Sequence, residues 1–209
     1  MAHKKWLYPF FVLQLLFVSL IGAFFLLRSY SNIQQADPSL PAVAAATHWT
    51  GVATPVTLAD AATRAGIEAQ AWANDAALSR VEATWRPGDE WIDIESPPVS
   101  WSFYYYSPAH SAVMSVAVQG EEVLPTPATM LPYSPTLLSG FPPPQGVEVA
   151  WLTFRAAGGE DFLQAHSGAA VQFRLQMASG KPTWFILAFT PQARLQISID
   201  AETGLLFKS

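Results

Sequence analysis

The chain reads as an α+β protein: a single N-terminal transmembrane helix, followed by two antiparallel units of one helix and three strands each, packed together. Three observations predict this. Residues 6–27 form an apolar run of 22 residues without a charged side chain. A later alanine-rich stretch of helical period gives way near residue 81 to alternation of period two. The same order, helix and then three strands, returns after a proline-rich interruption.

The apolar run comes first. At about 1.5 Å per residue it would span about 33 Å as a helix, against a hydrocarbon core of about 30 Å. His3, Lys4 and Lys5 precede it and Arg28 follows, with the next basic residue only at Arg64. That bias keeps the N-terminus in the cytoplasm and places the rest of the chain outside, as a single-pass protein of the cytoplasmic membrane with a periplasmic or extracellular domain. Lys4, Lys5, Trp6 and Tyr8 at one end and Arg28 and Tyr30 at the other suit the two membrane interfaces. A cleavable signal peptide has a shorter apolar region with a small-residue site close behind it. Here the nearest such site, Ala44 to Ala46, lies far downstream, which favours an uncleaved anchor over residues 1–28. Residues 29–56, rich in Ala, Pro, Ser and Thr, read as a spacer.

Residues 57–124 form the first predicted unit. Thr57 and Asp60 make a weak capping box, and the alanine-rich stretch to about residue 80 favours a helix that presents Leu58, Ala62, Ala65, Ala69, Trp72, Ala76 and Leu78 on one broad face. Gly66 weakens it. Strands follow at 81–85, 101–106 and 112–118, where β-favouring residues alternate. Seven of the 17 prolines fall between Pro125 and Pro144, so residues 125–147 read as a connector. Residues 148–209 form the second unit: a helix over 148–166 interrupted at Gly158-Gly159, then strands at 170–177, 183–190 and 195–200, with Ser179-Gly180 as a tight hairpin turn. At an offset of 83, Trp101 falls on Trp184, Phe103 on Ile186 and Tyr106 on Phe189; at an offset of 92, Val81, Ala83 and Trp85 fall on Phe173, Leu175 and Met177. Both offsets point to an internal repeat.

In the segment 195–206, a strand closes on Asp200-Ala201-Glu202-Thr203-Gly204 and the chain continues apolar. Asp can cap such a turn and Gly supplies positive φ. With the preceding Gly180-Lys181-Pro182 and Trp184, this segment resembles the end of a PepSY-type domain, while the first unit has Gln119-Gly120-Glu121-Glu122 where that signature would lie. The resemblance implies an extracytoplasmic binding or inhibitory module of helix-on-sheet form, and it implies no catalytic residues.

Composition narrows the function further. Beyond Arg28 there are eight basic and sixteen acidic residues, a balance that repels phosphate backbones and argues against nucleic-acid binding. The chain has no cysteine, which excludes disulfides, thiolate metal sites and cysteine-held clusters. Asp89, Glu90, Asp93 and Glu95 lack the ligand order of a known calcium loop and read as a solvated loop. His110 with Ser111, and His166 with Ser167 and Asp161, lie outside any nucleophile elbow and read as loop or helix-end residues. No cofactor is expected, and no enzymatic activity.

The strand at 101–106 places Trp101, Phe103 and Tyr105 on one face and Tyr104 and Tyr106 on the other. Its counterpart at 184–189 is apolar on both faces. A strand of this kind needs cover on both sides: one from its own helix, the other from the sister unit, the connector or a partner protein. Trp91, Trp101, Tyr104, Tyr106 and Trp184 are the candidate partner-facing residues. The expected function is a non-enzymatic, membrane-anchored extracytoplasmic binding or scaffolding module, an accessory subunit of a larger membrane assembly such as an energy-transducing one. Its partners would be other membrane or periplasmic proteins and the bilayer. The alternative is a free-standing regulator of an extracytoplasmic peptidase, or a sensor of an envelope ligand.

Overall fold

The computed structural model describes residues 56–85 and 100–207. The apolar run, the spacer and the acidic loop therefore lie outside the described residues. Among the described residues no helix is long and apolar enough to cross a membrane, so the transmembrane part of the expected architecture has no counterpart there.

Thr57 caps the first helix: its hydroxyl accepts from the Asp60 N–H at 3.2 Å and donates to the Asp60 carboxylate at 2.8 Å. This gives a partner to one of the amides that a helix start leaves without one. Helix α1 runs Leu58–Trp72 and buries Ala61, Ala65 and Ala69, a one-sided row of methyl groups that lets it lie close on the sheet. It ends well short of residue 80. The backbone from Ala77 onward pairs instead with β2, and the Asp75 side chain ties the intervening turn to the loop after β2. Alanine propensity is a weak prior, and a strand ladder overrides it.

Strand β1 spans Ala77–Trp85, β2 Ser100–Ser107 and β3 Ala112–Gln119; β4, Glu122–Pro125, and β5, Thr129–Met130, are short pieces on the far edge of β3. The prolines there sit at an edge or beyond it, where a missing amide is tolerated. After the connector come α2, Val147–Phe154, a widened turn at Arg155–Gly159, and α3, Glu160–Ala165. The break falls where the sequence placed it. Gly158 takes φ +100°, and a Cβ on Gly159 would lie 2.6 Å from the Phe154 carbonyl and closer still to its ring. Strands β6, Ala170–Ala178, β7, Lys181–Phe189, and β8, Arg194–Asp200, complete the fold. Ser179 and Gly180, both at positive φ, turn the chain between the paired Ala178 and Lys181, as a two-residue hairpin requires.

All eight strands belong to one antiparallel sheet, ordered β4-β3-β2-β1-β6-β7-β8, with β5 also on β3. This corrects the expected pair of separate packed units. Residues Arg80 to Trp85 of β1 pair with Gln176 to Val171 of β6, so the two strands lose their open edges to each other. An exposed edge carries a row of unpaired amides and carbonyls, and joining two such edges satisfies both. The structure is mostly β, with the helices on one side.

The six longer strands each bury a row of apolar residues on that side. Val81, Phe103, Val116, Val171, Leu175, Trp184, Ile186 and Ile199 are buried there together with Trp101 and Phe173. Aromatic rings gather where the halves join: Trp85 lies 4.9 Å from Phe173 and 6.4 Å from Trp101, and Phe173 lies 6.0 Å from Trp151 of α2 and 6.4 Å from Trp184. Edge-to-face packing of this kind adds to area burial. Two indoles also fix the helix entries: Trp101 Nε1–H donates to the Val56 carbonyl at 3.0 Å, just before α1, and Trp184 Nε1–H to the Gln145 carbonyl at 2.9 Å, just before α2.

At the end of β8, Asp200 Oδ1 accepts from the Glu202 and Thr203 amides at 2.8 and 3.1 Å, and Gly204 has φ +75°. The turn chemistry read from the sequence is therefore present. Residues beyond it return along the β8 edge, where Phe207 N–H donates to Ser198 O.

Candidate functional site

The helix-bearing face of the sheet is sealed, so chemistry has to be sought on the other, outer face. Its first half is covered by the connector. Tyr106 Oη and Ser134 Oγ bond at 2.9 Å, Ser115 Oγ and Thr126 Oγ1 at 2.7 Å, and Leu138 N–H donates to Leu78 O at 2.7 Å. Tyr106 and Val113 are buried there, and Tyr104 is buried under the Arg80 guanidinium.

The second half is different. Cross-strand register places Arg174, Phe185 and Ser198 in one row across β6, β7 and β8, Gln172, Leu187 and Gln196 in the next, and Ala170, Phe189 and Arg194 in the third. Phe185, Leu187 and Phe189 thus run up the outer side of β7 as an apolar ridge between polar flanks. Phe185 and Leu187 are half-buried by their neighbours, and Phe189 is 38% exposed.

A charge cluster stands beside the ridge at the β1–β6 seam. Glu82 Oε1 lies 2.6 Å from Arg174 Nε and 3.3 Å from Arg80 Nε, and Glu82 Oε2 accepts from the Tyr104 hydroxyl at 3.2 Å. The Arg80 guanidinium carbon sits 3.9 Å from the centre of the Tyr104 ring, a cation–π contact. Burial raises the Tyr104 phenol above its ordinary value, and the Glu82 charge adds to the rise. Two guanidiniums share one carboxylate, leaving one positive charge over. Arg80 and Glu82 are nearly buried, whereas the Arg174 side chain is 28% exposed, so Arg174 is the part of this net-positive cluster that meets solvent.

This arrangement revises the expected contact residues. Trp101 and Trp184 are buried under the helices and bonded to backbone, and Tyr104 and Tyr106 are covered on the outer face. None of the four is a surface anchor. Indoles with a donor to satisfy fit best where a buried carbonyl waits for one, here just before each helix. Trp91, Lys4, Lys5, Trp6, Tyr8, Arg28 and Tyr30 lie outside the described residues, as do Asp89, Glu90, Asp93 and Glu95. The outward residues of β7 were the ones missed. Their signal was present, since Phe185, Leu187 and Phe189 alternate with the inward Trp184, Ile186 and Ala188.

His110 sits in the turn between β2 and β3, its ring 5.6 Å from Trp72, beside a shallow pocket shared with Gln70, Asn74 and Asp75. The Asp75 carboxylate is committed to that turn. It accepts from Ser107 Oγ at 2.6 Å and from the Ala109 amide at 2.7 Å, and these two bonds hold it below the usual carboxylate range. His166 follows α3, with its ring 4.6 Å from Phe162. Among the described residues no group of three or more His, Asp and Glu side chains is placed to hold a metal.

No protein-family model matches the chain, and no curated protein matches it. The local resemblance over 195–206 is therefore not carried into function. One solved structure is similar in shape: a "putative lipoprotein" from Clostridium difficile 630, with 11% sequence identity and a TM-score of 0.47, covering 71% of this chain and 90% of that one. A likeness of that size carries no functional argument.

Proposed function

We propose that this protein is a non-catalytic binding module that works outside the cytoplasm at a membrane surface, as a docking subunit for another membrane or envelope protein. The observation that carries this reading is the asymmetry of the sheet. One face is covered by helices, the connector crosses the first half of the other and buries Tyr106, and the second half presents an apolar ridge on a rigid ladder. Apolar side chains on a rigid, polar-flanked surface are the usual material of protein interfaces. The uncharged apolar stretch 6–27 in the sequence supports membrane association, and the acidic balance of the remainder disfavours nucleic acid.

The test is site-specific photocrosslinking in intact cells of the source organism. A benzoylphenylalanine at Leu187 is expected to give one discrete protein adduct. The same probe at Ile67, which is 65% exposed on α1, is expected to give none. No adduct at Leu187, or the same adducts from both positions, would overturn the reading.

A further inference from the structure

The described domain is acidic, but its charge is unevenly placed. Of its six basic side chains, Arg80, Arg174, Lys181 and Arg194 stand on the outer face of β1, β6, β7 and β8. Among the described residues that face holds two acids, Glu82 and Asp200. The other nine acids lie elsewhere, against Arg64 and Arg155 alone. Both facing acids are already engaged. Lys181 Nζ lies 3.2 Å from Asp200, and Glu82 is shared by Arg80 and Arg174. Glu82 bonds Arg174 at 2.6 Å and lies 3.3 Å from the nearly buried Arg80, so the three side chains together keep one positive charge, and Arg174 is the member of the trio that reaches the surface. Arg194 is exposed and sits directly opposite Phe189.

Resting on the binding-module reading above, we propose that the outer face of β6, β7 and β8 receives an extended acidic segment of a partner protein. Its carboxylates meet Arg174 and Arg194, and its apolar side chains meet the ridge of Phe185, Leu187 and Phe189. Charge complementarity selects the occupant: four basic side chains against two acids leave this face locally positive on an otherwise acidic molecule, which favours carboxylates at contact range. Guanidinium is suited to carboxylate because its donors form a flat fork. The strand spacing suits an extended chain whose alternate residues fall on the ridge and its flanks. A lipid surface is less well matched, since attraction to anionic headgroups rests on dense clusters of about four to eight basic residues.

The test uses the full chain in neutral detergent with three synthetic peptides about twelve residues long, alternating valine with glutamate, glutamine or lysine. Fluorescence anisotropy is expected to show the glutamate peptide binding at least about tenfold more tightly than the lysine peptide, with the preference shrinking as salt rises from about 50 to 300 mM. Arg174→Gln is expected to cost about tenfold and Arg194→Gln about threefold against the glutamate peptide, with the glutamine peptide unaffected. Arg194 lies outside the Glu82 cluster, so its variant remains informative if Arg174→Gln folds poorly. Equal affinity for the three peptides, no binding of the glutamate peptide, or no loss in Arg194→Gln overturns the proposal. Displacement of the peptide by short-chain phosphatidylglycerol but not by phosphatidylcholine assigns the face to lipid and also overturns it. A Leu187 adduct in cells without acid preference in vitro removes this inference alone; a missing adduct removes the reading beneath it.

Discussion

Strands β2 and β7 flank the central β1–β6 pair on opposite sides, and each carries a tryptophan that buries its ring under the helices and bonds its indole to the carbonyl just before a helix. On the other face they part company. Tyr104 and Tyr106 of β2 are covered, Tyr106 by a bond to Ser134 in the connector, whereas Phe185, Leu187 and Phe189 of β7 stay partly in water. Behind β8 the chain returns along the strand edge instead of crossing the face. The difference teaches where function can reside. A doubly apolar strand that is covered within its own chain is structure; the same kind of strand left half open has cover to find elsewhere.

The shared device gives the largest expected effect. Trp101→Ala and Trp184→Ala each remove a fully buried ring and leave a buried carbonyl without its donor, so each is expected to cost about 3–5 kcal/mol. Denaturant unfolding should show the two losses within about 1 kcal/mol of each other. A loss at one position less than half that at the other would show that the halves are not held by the same means.

The outer faces give the next effect, and here the halves should diverge. Tyr106→Ala empties a covered site and is expected to cost about 3 kcal/mol, whereas Phe185→Ala, on the open side, is expected to cost about 1 kcal/mol. Unfolding midpoints of the two variants would decide it. Equal costs would mean that β7 is as well covered as β2, which would undercut the docking face directly.

How much of this was legible in the sequence follows the range of the interactions. The six expected strands were placed to within a few residues because alternation is local: Val81, Ala83 and Trp85 announce their shared face without reference to anything distant. The short β4 and β5, the latter inside the expected connector, were not foreseen. The end of α1 was not, because Asp75 is held by Ser107 and Ala109, more than thirty residues away. Nor was the join between the halves. The offset of 92 equates Glu82 with Arg174, and these two residues face each other across the β1–β6 ladder, but no sequence offset says which edges meet. For the candidate site, period two assigned Tyr104 and Tyr106 to a different face from Trp101, Phe103 and Tyr105. It could not say which face the connector would cover, and so it favoured the large indoles over the ridge on β7.

The smallest effect concerns a proton, and it belongs to the first half alone. Tyr105 points inward from β2, and its hydroxyl oxygen lies 3.9 Å from where a Cβ on Gly66 of α1 would stand. Burial there pushes its phenol up to about 12, because a phenolate loses more than a phenol when water is removed. In the unfolded chain the same group titrates near 10. Between those values the folded state holds the proton and the unfolded state releases it, so stability is intact below about pH 10 and declines as pH rises toward 12. Ultraviolet titration should find a tyrosine ionising near 12 in the wild type that is lost in Tyr105→Phe. The variant's denaturation midpoint should fall less steeply than the wild type's over that interval, the remaining slope including the raised Tyr104 phenol. The inward residues of β7, Trp184, Ile186 and Ala188, carry nothing that titrates there. An alkaline decline undiminished in Tyr105→Phe would show that Tyr105 is not the group whose buried proton sets the first half apart from the second.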